Sequence, residues 1–150
     1  MYSGRDPQVI DVEEMTQEME PLPKTDPALA GILEELKKRE PIFHRPDLGT
    51  TRADFENMMV ADFWEVGASG RRYSREFVLA ELEERHAIQH EDVWETRDFH
   101  GRRLAEDVYL LTSTLLQNHE RLTRRSTIWQ KTPAGWKIVF HHGTMVQDGE

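Results

Sequence analysis

The stretch Arg124-Arg125-Ser126-Thr127-Ile128-Trp129-Gln130-Lys131-Thr132-Pro133-Ala134-Gly135-Trp136-Lys137-Ile138-Val139-Phe140-His141-His142-Gly143-Thr144 reads as two long strands joined by a turn. Pro133 presets the first turn dihedral, Gly135 supplies the positive φ that a three-residue hairpin loop needs, and β-branched and aromatic residues fill both flanks. A loop over residues 133–135 pairs Thr132 with Trp136. Alternation then collects Arg125, Thr127, Trp129, Lys137, Val139 and His141 on one face, and Arg124, Ser126, Ile128, Gln130, Ile138, Phe140 and His142 on the other.

Working outward, the chain from Val93 onward is strand throughout: Val93–Phe99, a turn at His100-Gly101, Ala105–Leu116, a loop at Gln117–Glu120, then the hairpin. Upstream, Asp26 is placed to cap a helix with Pro27 in its first turn and Leu29, Ile32, Leu33 and Leu36 on one face. Glu34 with Lys38 and Glu35 with Arg39 add i,i+4 pairs on the wet side. Pro41 and Pro46 make residues 40–49 a kinked helix end or an ordered loop. Thr51 with Asp54 caps a short helix with Phe55, Met58 and Met59 inward. A strand, Phe63–Val66, closes on the turn Gly67-Ala68-Ser69-Gly70, and Ser74 caps a third helix with Phe77, Val78 and Leu82 on its apolar side. Helices followed by a four-stranded antiparallel meander, with one strand inserted among the helices, define an α+β plan.

The 150 residues suit one domain whose core stands without disulfides. Absence of cysteine excludes a disulfide scaffold, a thiol nucleophile and a thiolate zinc site, and agrees with a cytoplasmic location. The N-terminal residues show no signal peptide and no apolar run reaches membrane-spanning length, so a protein that is neither exported nor membrane-bound is expected. Net charge is −9, and residues 1–23 hold six acids against one base. That balance argues against nucleic acid and anionic membrane as partners, because such binding requires Lys and Arg on phosphates. Residues 1–25 read as an acidic extension in which Val9, Val12, Met15 and Met19 form a possible helical stripe, residues 26–146 as the domain, and residues 147–150 as a tail.

The helix order, the segment Asp62-Phe63-Trp64-Glu65-Val66-Gly67-Ala68-Ser69-Gly70-Arg71-Arg72-Tyr73-Ser74 and the final Trp136–Thr144 strand resemble the nuclear-transport-factor-2-like superfamily. Within it they are most similar to the domain-of-unknown-function 4440 group, akin to SnoaL-like and ketosteroid-isomerase-like proteins. The resemblance covers about residues 26–146. It implies a cone-shaped curved antiparallel sheet wrapped around the N-terminal helices with a central apolar pocket, and a homodimer through the convex sheet face. It also places Thr127, Trp129 and His141 in the cavity. Members include isomerases, cyclases, dehydratases and pure binding modules, so fold alone does not fix function.

His141 is the first candidate base, since an imidazole moves protons near neutral pH; the competing role is a satisfied structural histidine. Glu40 and His44 stand at i and i+4, a spacing that lets a carboxylate orient an imidazole, although Pro41 interrupts it. Glu65 is a strand carboxylate flanked by aromatics, whose burial would raise its pKa. For ligand contacts we take Trp129, Thr127, Arg125 and Trp64, with Tyr73 as a hydroxyl donor from the turn before the third helix. His86 and His90 lack further ligands, and no metal or other cofactor is expected. The expected function is a pocket for a small organic molecule, extending to cofactor-free proton transfer next to a carbonyl as in isomerases, cyclases or dehydratases. The alternative is a non-enzymatic dimeric interaction, regulatory or immunity module, and the sequence does not decide whether the protein is an enzyme.

Overall fold

In the computed structural model, residues 20–87 and 93–147 are described. Helix α1 (Ala30–Lys37) follows a 3-10 turn at Pro27–Leu29, and α2 (Arg52–Asn57) follows a second one at Pro46–Leu48. Strands β1 (Met59–Val66) and β2 (Arg72–Ser74) precede α3 (Arg75–Ala87). Strands β3 (Trp94–Ala105), β4 (Val108–Gln117), β5 (Arg121–Thr132) and β6 (Gly135–Met145) complete the chain. They make one six-stranded sheet in the order β2-β1-β6-β5-β4-β3. All neighbours are antiparallel except β1 and β6, which run parallel and set Glu65 beside His141. The sheet is curved and unclosed, and the helices fill its concave side, the α+β architecture expected.

The helix starts follow the capping chemistry of the sequence. Asp26 accepts from the Ala28 N–H at 3.0 Å. Thr51 and Asp54 form a reciprocal capping box, Asp54 N–H to Thr51 Oγ1 at 3.1 Å and Thr51 N–H to Asp54 Oδ2 at 3.0 Å. Ser74 Oγ accepts from the Phe77 N–H at 3.2 Å. Leu36, Phe55, Leu79 and Leu111 are among the fully buried side chains, each contributing about 1.5–3 kcal/mol. Residues 40–49 are an ordered loop containing a cis Glu40–Pro41 bond. Phe43 takes φ 66° there and is held edge-on against Phe55 and Phe63, both at 6.1 Å. The left-handed backbone of a bulky residue costs about 1–2 kcal/mol, which this aromatic packing offsets.

Several expectations are corrected. The connection between β5 and β6 has two residues, since Thr132 pairs with Gly135 and Lys131 with Trp136. Trp136 and Ile138 therefore face the core in place of Lys137 and Val139. A bulge follows, with Trp129 opposite Ile138 but Ile128 opposite Phe140, and the extra residue returns His141 to the inner face opposite Thr127. Strand β3 runs straight through His100-Gly101 with a bulge at Asp98, and turns at Glu106-Asp107. Strand β1 starts at Met59. On α3 the inward residues are Val78, Leu79 and Leu82, with Phe77 47% exposed. Glu34 pairs with Lys37 at 3.1 Å, and Glu35 accepts the Trp136 indole N–H at 3.1 Å. The Val9 to Met19 stripe lies outside the described residues.

Candidate functional site

A cavity of about 520 Å³ opens between α3, the residue 42–44 loop and the concave face of β1, β5 and β6. Its apolar wall comes from Ile42, Phe43, Phe77, Val78, Leu82 and Trp94, and its polar floor from Glu65, Arg125 and His141. Register explains the floor. The β1–β6 pairing sets Glu65 against His141, and the β5–β6 pairing sets Thr127 against His141 and Arg125 against Gly143. Gly143 brings the backbone close to both groups: a Cβ on it would lie in ordinary contact, 3.6 Å from Arg125 Nη1 and 3.9 Å from His141 Nε2.

Behind the floor runs a buried line of polar groups. Glu40 and His141 are each 2% exposed and Thr127 1%. The Thr127 hydroxyl donates to Glu40 Oε1 at 2.8 Å and meets His141 Nδ1 at 2.9 Å. The second Glu40 oxygen accepts the Ile42 N–H at 3.1 Å. The Trp129 indole N–H is turned toward this carboxylate too loosely to close a hydrogen bond. With the hydroxyl given to Glu40, the 2.9 Å contact requires Nδ1–H to donate to Thr127, leaving His141 Nε2 as a bare lone pair. That nitrogen is buried with no hydrogen-bond partner.

The electrostatics match the geometry. Burial, the Arg125 charge and neighbouring histidines push the His141 pKa well below its ordinary value, so the imidazole is neutral. Burial raises Glu40 above the usual carboxylate range, opposed by Arg125 and the hydrogen bonds from Thr127 and Ile42. Burial likewise raises Glu65, with Arg125 and Arg85 pulling the other way. A proton reaching His141 Nε2 can pass from Nδ1 through the Thr127 hydroxyl to Glu40. The pair then ends neutral, with no imidazolium stranded in a dry interior.

The expected site residues divide. His141, Glu65, Arg125, His44 and Tyr73 line the cavity. Glu40 and Thr127 stand behind it and reach it through His141. Trp129 is buried on the inner face but borders a separate void beside Arg39 and Met58, where it packs the core. Trp64 points the other way: strand alternation that turns Phe63 and Glu65 inward leaves it 44% exposed, against Phe140 at 4.8 Å on the outer face. The expected Glu40–His44 pair is replaced by other partners. Glu40 turns to Thr127, while His44 stacks on Trp94 at 4.2 Å with Arg85 Nη1 at 3.2 Å from its Nε2. The Tyr73 hydroxyl meets Ser69 Oγ at 3.4 Å and its ring stacks on Phe77 at the rim. Gly67 is required beneath it, since a Cβ there would come within 2.7 Å of the ring. Sequence reasoning missed Arg85, Arg121 and Gly143 as cavity residues. The i,i+4 histidine reading places His86 against Phe55 at 5.1 Å, and His90 lies outside the described residues. Among the described residues no group of three or more His, Asp or Glu is placed to hold a metal ion, and no helix is long and apolar enough to cross a membrane.

No family model matches the sequence, and no curated protein is detectably similar to it. The fold is shared with many solved structures. A nuclear-transport-factor-2-like protein of Cytophaga hutchinsonii superposes with a TM-score of 0.59 at 16% identity, over 77% of this chain and 96% of that one. A DUF3225-family protein of unknown function from Pectobacterium atrosepticum gives 0.58 at 19%, over 79% and 93%. A provisionally assigned ketosteroid isomerase of Parabacteroides distasonis gives 0.54 at 15%, over 85% and 93%.

Proposed function

We infer, for a chain with the nuclear-transport-factor-2-like fold, that the cavity binds a small organic molecule and that His141 Nε2 takes a proton from it. The observation that carries this reading is the unbroken line Glu40–Thr127–His141, at 2.8 and 2.9 Å, ending in a partnerless nitrogen at the cavity floor. A buried lone pair without a donor is costly to hold, about 1–3 kcal/mol, and a substrate C–H or O–H is what it lacks. His141 is the base, Thr127 the bridge and Glu40 the positioning residue and proton store. Glu65, raised by burial, stands one strand over as the acid that returns a proton to the product. The reaction class is cofactor-free proton transfer next to a carbonyl.

The test is exchange chemistry, which needs no prior substrate. A library of ketones, aldehydes and carboxylic acids is incubated with the protein in D₂O and followed by proton NMR for loss of α-protons. Exchange of one compound class by the wild type, and none by a folded His141→Ala protein, is expected. Equal exchange by both proteins, or none by either, removes the assignment. Glu40→Gln gives a readout independent of turnover. Its amide donates to Thr127, which then donates to Nδ1, so long-range ¹H–¹⁵N spectra should show His141 changing from the Nδ1–H to the Nε2–H tautomer.

For assembly we propose a homodimer through the outer sheet face. Registered pairs there align Trp64, Phe140, Ile128 and Leu110 into one apolar row across four strands. Sedimentation of wild type as a dimer and of Trp64→Lys as a monomer is expected; a monomeric wild type sinks the idea.

A further inference from the structure

The cavity is a cationic enclosure in an acidic protein. Arg85, Arg121 and Arg125 line it against Glu65 and Glu81, whereas the chain as a whole carries −9. Two of these arginines have partners: Arg85 Nη1 meets His44, and Arg121 donates through Nη1 to Gln117 at 3.4 Å. Arg125 differs. Its Nε is buried without a hydrogen-bond partner, and Glu40 and Glu65 act on it through their charge and not through a hydrogen bond. Burying a guanidinium unpaired is expensive, and its planar fork is matched by a carboxylate with two parallel N–H···O bonds. Neither Glu40 nor Glu65 closes a hydrogen bond on it, and burial pushes Glu65 toward its protonated form.

Resting on the reading of this site given above, we propose that the substrate is a small organic carboxylate, its anionic group held by Arg125 beside Gly143 and its apolar body against Phe77, Leu82 and Trp94. Geometry joins this to the chemistry. The position that a Gly143 Cβ would occupy is 3.6 Å from Arg125 Nη1 and 3.9 Å from His141 Nε2, so an anion on the arginine carries its adjacent carbons to the base. A single guanidinium fork pairs one carboxylate, which selects a monocarboxylate over a dianionic phosphate ester. The wall of aliphatic and aromatic side chains selects an arylalkyl or alkyl body over a sugar.

The experiment is calorimetric titration of the full-length protein with 4-phenylbutyrate, its uncharged amide 4-phenylbutyramide, acetate and inorganic phosphate. The wild type should bind phenylbutyrate at least tenfold more tightly than the amide, with acetate and phosphate weaker still. Arg125→Met should bring acid and amide to equal affinity while keeping or raising the thermal midpoint, because a desolvated charge has been removed. Equal affinity of acid and amide for the wild type overturns the carboxylate assignment and leaves the pocket standing. Preference for the acid retained in Arg125→Met overturns the role of this arginine. Phosphate binding most tightly makes the site one for a bare oxyanion, against the proposal. Binding of none of the four up to their solubility limits removes the pocket reading together with the inference.

Discussion

Replacing Thr127 with Val tests the buried polar line most directly, because it removes one hydroxyl and leaves the volume nearly unchanged. That hydroxyl serves a carboxylate at 2.8 Å and an imidazole at 2.9 Å in an interior where neither finds water. A hydrogen bond to a charged group is worth about 1.5–3 kcal/mol and a neutral one about 1 kcal/mol, so the substitution should cost about 3 kcal/mol. For a domain of this size that lowers the thermal midpoint by about 6–12 °C. Glu40 keeps only the Ile42 N–H and is driven further toward its neutral form. Urea melts of the wild type, Thr127→Val, Glu40→Met and the double variant give the coupling between the two sites, since Met offers the hydroxyl no acceptor of comparable strength. Since both singles break one contact, the double should cost clearly less than their sum. A midpoint within about 2 °C of the wild type, or additive losses, would refute the hydrogen-bonded line.

The remaining predictions concern pH and shape. His141 has its folded pKa depressed, so the unfolded chain takes up a proton that the folded one refuses. Its stabilising contribution is whole above about pH 6.5 and is lost as pH falls below that toward the folded value, by up to about 1.4 kcal/mol per unit. Urea titrations of wild type and His141→Gln should therefore diverge below pH 6.5, the wild type losing more; parallel curves contradict a buried neutral imidazole. Gly143→Ala meets only ordinary contact distances, so the fold should be retained while exchange activity and phenylbutyrate affinity both fall. Unchanged binding would show that the ligand sits elsewhere. Gly67→Ala must displace the Tyr73 ring, and altered Tyr73 chemical shifts with an intact core are expected.

What was legible in the sequence followed local rules. Asp26, Thr51 with Asp54, and Ser74 announced their helices because capping needs only a side chain and an N–H two or three residues away. The meander was legible from β-branched and aromatic runs. Long-range pairings were not. The Glu40–Thr127–His141 line joins residues 87 and 14 positions apart, and no local spacing announces it. Glu40 and His44 looked like partners because they are close in sequence, yet the loop that begins at Pro41 leaves one in the core behind the cavity floor and carries the other to the cavity wall. Trp64 failed for a different reason: an aromatic in a strand is equally at home on either face, and only the inward Phe63 and Glu65 decide it. Arg85 and Arg121 carry no local signal for a pocket, and only the fold brings them to one cavity.

The sequence register puts His141 on one face with Thr127 and Trp129 although it is wrong at the turn, the family resemblance turns that face inward, and the bulge explains why the structure does the same. A three-residue loop sets Thr127 opposite His141. The actual two-residue loop sets Trp129 opposite Ile138, and continued regularly it would turn His142 inward and His141 to solvent. The residue inserted at Val139 restores the alignment, so the base faces the cavity only because the strand carries one residue more than its partner. Deleting Val139 makes the Trp129–Ile138 and Ile128–Phe140 pairs consecutive, and regular alternation from Ile138 then runs outward at Phe140 and inward at His141. The deletion should accordingly straighten the hairpin yet leave His141 buried, seen by NMR as an imidazole that stays neutral through pH 6.5. If His141 instead titrates as an exposed histidine, the strand has kept its bulged register by other means and the parity argument fails.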